Sequence, residues 1–158
     1  ETGEILGLDQ TGEILVKGQM VMVGYWNKDK LTKENLKNGW LYTGDLGSVD
    51  DEGYLYLLGR KKEIINVGGE KVYPTEVENV IQEISNVSEV TVYGEKNPIL
   101  GNIVCAKISL IEETNKLEFI KQVKKFCKER LQKYKIPVKI NIENKKQYNY
   151  RFKKTRIQ

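Results

Sequence analysis

Gly3, Gly7, Gly12, Gly18, Gly24, Gly39, Gly44 and Gly47 punctuate the first third of the sequence and confine it to short strands and turns. Between them, residues 13–17 and 20–23 alternate as strands do, and residues 46–49 and 54–58 flank the turn Asp50-Asp51-Glu52-Gly53. A short helix is expected over residues 32–37. Two or three isolated hairpins bury too little apolar surface to stand alone. The segment is therefore expected to be the end of a larger sheet or barrel. Its edge strands should pair with a second copy of the chain, making a homodimer, or pack against the remaining two thirds of the same chain.

From Arg60 onward the pattern becomes mixed α and β. Residues 63–67 read as a strand running into the turn Gly68-Gly69. Pro74 stands where a helix begins, followed by Val77, Val80, Ile81 and Ile84 at helical spacing. Alternating strands come next, around residues 90–93 and 103–110. A long helix, about residues 117–133, is expected to bury Leu117, Ile120, Val123, Cys127 and Leu131 on one stripe and to end at Ile136-Pro137. Residues 138–142 read as a last strand, and the tail from Glu143 is polar and basic.

The length of 158 residues fits one domain, or one small domain plus a piece of another. With 39% hydrophobic and 30% charged residues the composition is globular. No apolar run approaches the roughly 20 residues that span a bilayer. The absence of histidine excludes Ser-His-Asp and Cys-His catalysis and removes the commonest metal ligand, so chemistry falls to Asp, Glu, Lys, Arg and backbone groups. Cys105 and Cys127 each sit in an apolar periodic run and read as small core residues, without a disulfide or a metal site, which points to a reducing, cytoplasmic setting. The first residue is Glu1 and not methionine, so the chain is expected to derive from something longer or to have been processed.

The net charge of +4 conceals an asymmetry, because residues 116–158 hold 15 basic and 3 acidic side chains. Such a block could meet phosphate, an acidic partner or nucleic acid. A non-catalytic basic module is thus one reading. Aromatic residues are not interleaved with the basic helix as base stacking requires, which counts against nucleic acid.

Three segments carry a more specific message. They are Gly12-Glu13-Ile14 running on to Gly24-Tyr25-Trp26, then Gly39-Trp40-Leu41-Tyr42-Thr43-Gly44-Asp45-Leu46-Gly47, then the stretch from Gly59-Arg60-Lys61-Lys62-Glu63 through Gly68-Gly69-Glu70-Lys71-Val72-Tyr73-Pro74 to Glu78. In this order they resemble the adenylate-forming superfamily, which includes acyl-CoA synthetases, peptide-synthetase adenylation domains and firefly-type luciferases. The resemblance implies an α+β chain in two parts: residues 1–59 as the β-rich end of the large N-terminal domain, and residues 60–158 as the hinge and the small mixed α/β C-terminal lid domain. It implies ligation of a carboxylic acid through an acyl-adenylate, using ATP with magnesium, and then transfer to CoA. Delivery to carrier-protein pantetheine is the rival acceptor within the family, and the stretch Gly68 to Pro74 reads more like acyl- or aryl-CoA synthetases.

Individual roles rest only on that resemblance. Asp45 matches a carboxylate that accepts hydrogen bonds from both ribose hydroxyls of the nucleotide, and Arg60 matches a second ribose contact. Lys62 falls at the hinge on which the lid pivots. Gly68 and Gly69 match a turn lining the pantetheine tunnel, where an absent Cβ lets a thin substrate arm pass. Lys153 matches the catalytic lysine when Arg156 is the fixed point, with Lys154 as the alternative, although Phe152 stands where the family usually has glycine. The family's phosphate-binding loop, acyl pocket and magnesium-holding groups match nothing here. The chain alone is therefore expected to be inactive without the missing N-terminal domain.

Overall fold

The computed structural model describes residues 3–143. Their contacts divide the chain into two compact units, Glu1–Lys62 and Glu63–Gln158.

In the first unit, β1 (Gly12–Val16), α1 (Asp29–Asn35), β2 (Leu36–Lys37), β3 (Trp40–Val49) and β4 (Leu55–Arg60) succeed one another. The ten-residue β3 is the spine, with β1 along one side and β2 and β4 along the other, all antiparallel. Asn38 and Gly39 both adopt positive φ, 52° and 78°, which is the geometry of a tight two-residue hairpin and joins β2 to β3. That hairpin shifts the expected helix. Leu36 and Lys37 pair with Leu41 and Trp40 as a strand, and α1 instead begins at Asp29. The turn between β3 and β4 is built on Asp50, whose Oδ1 accepts the N–H groups of Glu52 (3.1 Å) and Tyr54 (2.8 Å). Residues 20–23 form no strand. The Val21 N–H folds back onto the Gly18 carbonyl at 3.1 Å, and Met20 and Val23 remain exposed without a neighbouring strand to pair with.

A 3-10 turn, Lys61–Glu63, spans the junction of the two units, and the strand expected over 63–67 starts only at Ile65. Then come β5 (Ile65–Val67), β6 (Glu70–Val72), α2 (Pro74–Gln82), β7 (Val87–Asn97), β8 (Gly101–Leu110), α3 (Lys116–Arg130), a 3-10 turn at Lys133–Lys135 and β9 (Lys139–Ile142). β8 is central. It pairs antiparallel with β7 along its whole length, parallel with β9, and with β5 where Val67 meets Gly101. The core joins Val90 and Val92 of β7 and Val104, Ala106 and Ile108 of β8 to Val77 and Ile81 of α2 and Val123 and Cys127 of α3.

Local chemistry fixes these elements. Pro74 opens α2 at a position where its missing N–H costs nothing. Asn115 caps α3, its side chain accepting from the N–H groups of Leu117 (3.1 Å) and Glu118 (3.3 Å). The cap fixes where the helix starts, and packing against the core corrects the expected stripe. Phe119, Val123 and Cys127, spaced by four, are buried, while Leu117 in the first turn is 74% exposed. Ile120 and Leu131 pack partly against the same core. The helix also stops at Arg130, before the expected end, because Leu131 turns to extended backbone. Buried Glu78 of α2 accepts the Val92 N–H at 2.8 Å, satisfying a buried backbone donor of β7. Among the described residues no helix is long and apolar enough to cross a membrane.

Candidate functional site

β1 and β3 do not run in simple register. Glu13 pairs with Leu46 and Leu15 with Tyr42, so Thr43, Gly44 and Asp45 together stand opposite Ile14 alone. This is a bulge with two extra residues, a device that re-aims side chains where a plain ladder would alternate them. Gly44 supplies the left-handed backbone the bulge needs, with φ of 74°. Side chains hold the bulge in shape. The Thr43 hydroxyl donates to the Ile14 carbonyl (2.8 Å) and accepts the Asp45 N–H (3.0 Å). The Gly44 N–H donates to Oε1 of Glu13 at 3.2 Å.

On its other side β3 pairs with β4, and the register sets Asp45 directly against Arg60. The guanidinium Nε lies 2.8 Å from Oδ1 of Asp45, and Nη1 donates to the Thr43 carbonyl at 3.3 Å. Arg60 thereby touches both ends of the Thr43-Gly44-Asp45 bulge. Both side chains keep solvent access, with Asp45 36% and Arg60 51% exposed. A carboxylate offers about four lone-pair sites, so one bond to Arg60 leaves it able to accept further donors such as a pair of vicinal hydroxyls. A few residues downstream of Asp45, Gly47 lets β4 close in, since a Cβ there would meet the Tyr56 carbonyl oxygen at 2.8 Å.

Lys61 continues from Arg60 and donates to Oε2 of Glu13 at 3.0 Å. Lys62 lies in the 3-10 turn and is the last residue of the first unit. Gly68 and Gly69 belong to the second unit, at the tip of the β5–β6 hairpin, with φ of 59° and 94°. The Gly68 N–H donates to the Leu100 carbonyl at 2.8 Å, which ties this tip to the β7–β8 turn. Lys153, its alternative Lys154 and Arg156 lie outside the described residues.

Asp45 and Arg60 are thus side by side within one unit. Glu13, Thr43 and Lys61, which the sequence did not single out as site residues, complete the cluster around them. The available signal was Glu13 itself, an acidic residue in a strand that is otherwise apolar. Among the described residues no group of three or more His, Cys, Asp or Glu side chains could hold a metal ion. Both cysteines are free and buried. Burial, and then the nearby Glu95 carboxylate, pushes the Cys105 thiol up to about 11, and burial pushes Cys127 up to about 11.

The α+β fold is that of the C-terminal portion of adenylate-forming enzymes. Known proteins agree: the chain belongs to the adenylate-forming superfamily as such a portion, and residues 76–150 match the AMP-binding enzyme C-terminal domain. It is 41% identical over 137 residues to a long-chain-fatty-acid–CoA ligase of Bacillus subtilis, covering 87% of this chain and 24% of that protein. To a 2-succinylbenzoate–CoA ligase of Geobacillus kaustophilus it is 40% identical over 131 residues, 83% of this chain and 26% of the relative. The solved o-succinylbenzoate CoA synthetase of Bacillus subtilis with its acyl-adenylate superposes with a TM-score of 0.90 at 37% identity, over 99% of this chain and 31% of that one. An amide bond synthetase of Marinactinospora thermotolerans superposes at 0.84 with 30% identity, over 92% and 29% of the two chains. The chain spans about a quarter of the length of the curated relatives it matches.

Proposed function

We propose that this chain is the C-terminal portion of an ATP-dependent carboxylic acid–CoA ligase. The whole enzyme joins the acid to ATP as an acyl-adenylate, releasing pyrophosphate, and then passes the acyl group to the CoA sulfur with release of AMP. The observation that carries this reading is the Asp45–Arg60 pair on the bulged strand, a rigid, solvent-accessible carboxylate suited to a ribose diol. Asp45 accepts from the ribose hydroxyls and Arg60 holds it in place while contacting the same sugar. No magnesium contact is assigned to this chain. Lys153 supplies the ammonium that offsets charge between the carboxylate and the α-phosphate.

Residues 1–59 act as the end of the large domain and 60–158 as hinge and lid, with Lys62 the pivot and Gly68-Gly69 the turn along which pantetheine passes. The junction of the two compact units directly after Lys62 supports the hinge, and the open conformation of both glycines supports the turn. CoA is favoured over a carrier protein or an amine as acceptor because the relatives above matched by sequence are CoA ligases, whereas the solved neighbours include an amide bond synthetase. The exposed run Tyr54, Leu55, Tyr56 and Leu57 on and before β4 is the face that the remainder of the large domain covers. The two buried free thiols fit a reducing, cytoplasmic setting.

Acid-dependent ATP–pyrophosphate exchange in the full-length protein tests the reading. Asp45→Ala removes charge-assisted hydrogen bonds worth roughly 1.5–3 kcal/mol each and should raise the KM for ATP accordingly. Lys153→Ala should slow exchange by on the order of 100- to 1000-fold, as loss of one preorganised donor does, and should spare thioester formation from preformed acyl-adenylate. Wild-type exchange in both variants sinks the proposal.

A further inference from the structure

The bulge that presents Asp45 is held in place by one side chain from the facing strand. Because Thr43, Gly44 and Asp45 stand opposite Ile14 alone, their backbone donors have left the β1–β3 ladder and must be satisfied otherwise. Thr43 takes the Asp45 N–H on its own hydroxyl. The Gly44 N–H has no such neighbour and goes to Oε1 of Glu13 at 3.2 Å, across 31 positions of sequence. The same carboxylate receives Nζ of Lys61 on Oε2 at 3.0 Å. Lys61 comes directly after the arginine that grips Asp45 and precedes the proposed pivot. One glutamate, only 20% exposed, therefore joins the residue before Asp45 to the residue after Arg60, closing a ring around the pair.

We propose that Glu13 is a positioning residue for the nucleotide: its carboxylate fixes the bulge from β1, so that Asp45 and Arg60 meet the ribose in one geometry. It does not touch the nucleotide itself. The proposal rests on the reading of Asp45 and Arg60 given above. Of the two bonds, the one to Gly44 carries the function, since its loss leaves a half-buried backbone donor unmet and releases the turn. The ion pair to Lys61, with a lysine side chain 40% exposed, contributes little by itself.

The test is steady-state pyrophosphate exchange in the full-length protein, with the KM for ATP, the KM for the acid and kcat read separately and thermal melts as a folding check. Glu13→Ala should raise the KM for ATP by about tenfold, the size expected for one net hydrogen bond to a charged acceptor, and leave the KM for the acid unchanged. Glu13→Gln keeps an acceptor oxygen for Gly44 and should return the KM for ATP to near wild type. If Glu13→Ala proves unstable, Glu13→Met keeps the aliphatic stem, loses only the acceptors, and should show the same rise. Wild-type ATP kinetics in the Ala or Met variant, alongside a raised KM in Asp45→Ala, overturns the role of Glu13 and leaves the functional reading standing. A Gln variant as impaired as Ala overturns it as well. Wild-type kinetics in Asp45→Ala would instead remove the reading on which the proposal rests.

Discussion

Among the described residues, Leu46 is the one buried hydrophobic side chain of the first unit, whereas Val72, Val77, Ile81, Val90, Val92, Val104, Ile108 and Val123 form part of a continuous core in the second. The first unit compensates with polar ties. Glu13 and Thr43 hold the bulge, Asp50 holds the β3–β4 turn, and Asp45 and Arg60 bridge neighbouring strands. One unit is thus positioned by directional bonds and the other stabilised by burial. The difference matters because hydrogen bonds place atoms accurately and contribute about 1 kcal/mol each, while burial stabilises more and specifies less.

The sharpest way to break this contrast is to truncate one large side chain in each unit. Ile81 is fully buried between α2 and the sheet, so Ile81→Ala should destabilise the second unit by roughly 2–5 kcal/mol in a denaturant titration. Leu57 of β4 is 66% exposed, and Leu57→Ala in residues 1–158 alone should change stability by no more than about 0.5 kcal/mol. Equal losses would mean that the first unit has a core of its own.

Alkali should separate the units next, because both cysteines lie in the second. Their thiols have an ordinary value of 9.0 and are pushed up to about 11 by burial, so the folded state keeps its protons longer than the unfolded one. Their contribution is complete below about 9 and is lost as pH rises from there through about 11. Melting of the second unit should therefore soften across that window, and the Cys105→Ala, Cys127→Ala double variant should flatten the decline. An unchanged slope would assign the alkaline loss to other groups.

The smallest expected effect tests whether a directional bond also matters in the burial-dominated unit. Asn115→Ala removes the cap of α3 and should cost about 1 kcal/mol, measurable as faster amide exchange in the first turn of that helix. No change there would mean that tertiary packing alone fixes where α3 begins.

Much of this arrangement was legible in the sequence for identifiable reasons. Asp45 and Arg60 lie within contiguous motifs, and Pro74 and the Gly68-Gly69 turn announce local conformations that need no partner. Most of the features that escaped need contact across the chain. Glu13 reaches Gly44 only because a bulge shifts the ladder, and no local pattern encodes that shift. The alternation at residues 20–23 is too short to outweigh the turn at Gly18. Leu117 fits a helical stripe as well as Phe119 does, and only packing against the core decides between them.

The topology of β8 has a consequence for the order of assembly. Its antiparallel partner β7 is adjacent in sequence, so that hairpin closes through a short loop and can form early. Its parallel partner β9 arrives only after α3 has crossed over, which brings Cys105 against Lys139. Closing that larger loop is entropically slower. β9 is therefore the late piece of the second unit, and the strand that leads into the basic tail is the one whose detachment undoes the fewest earlier steps.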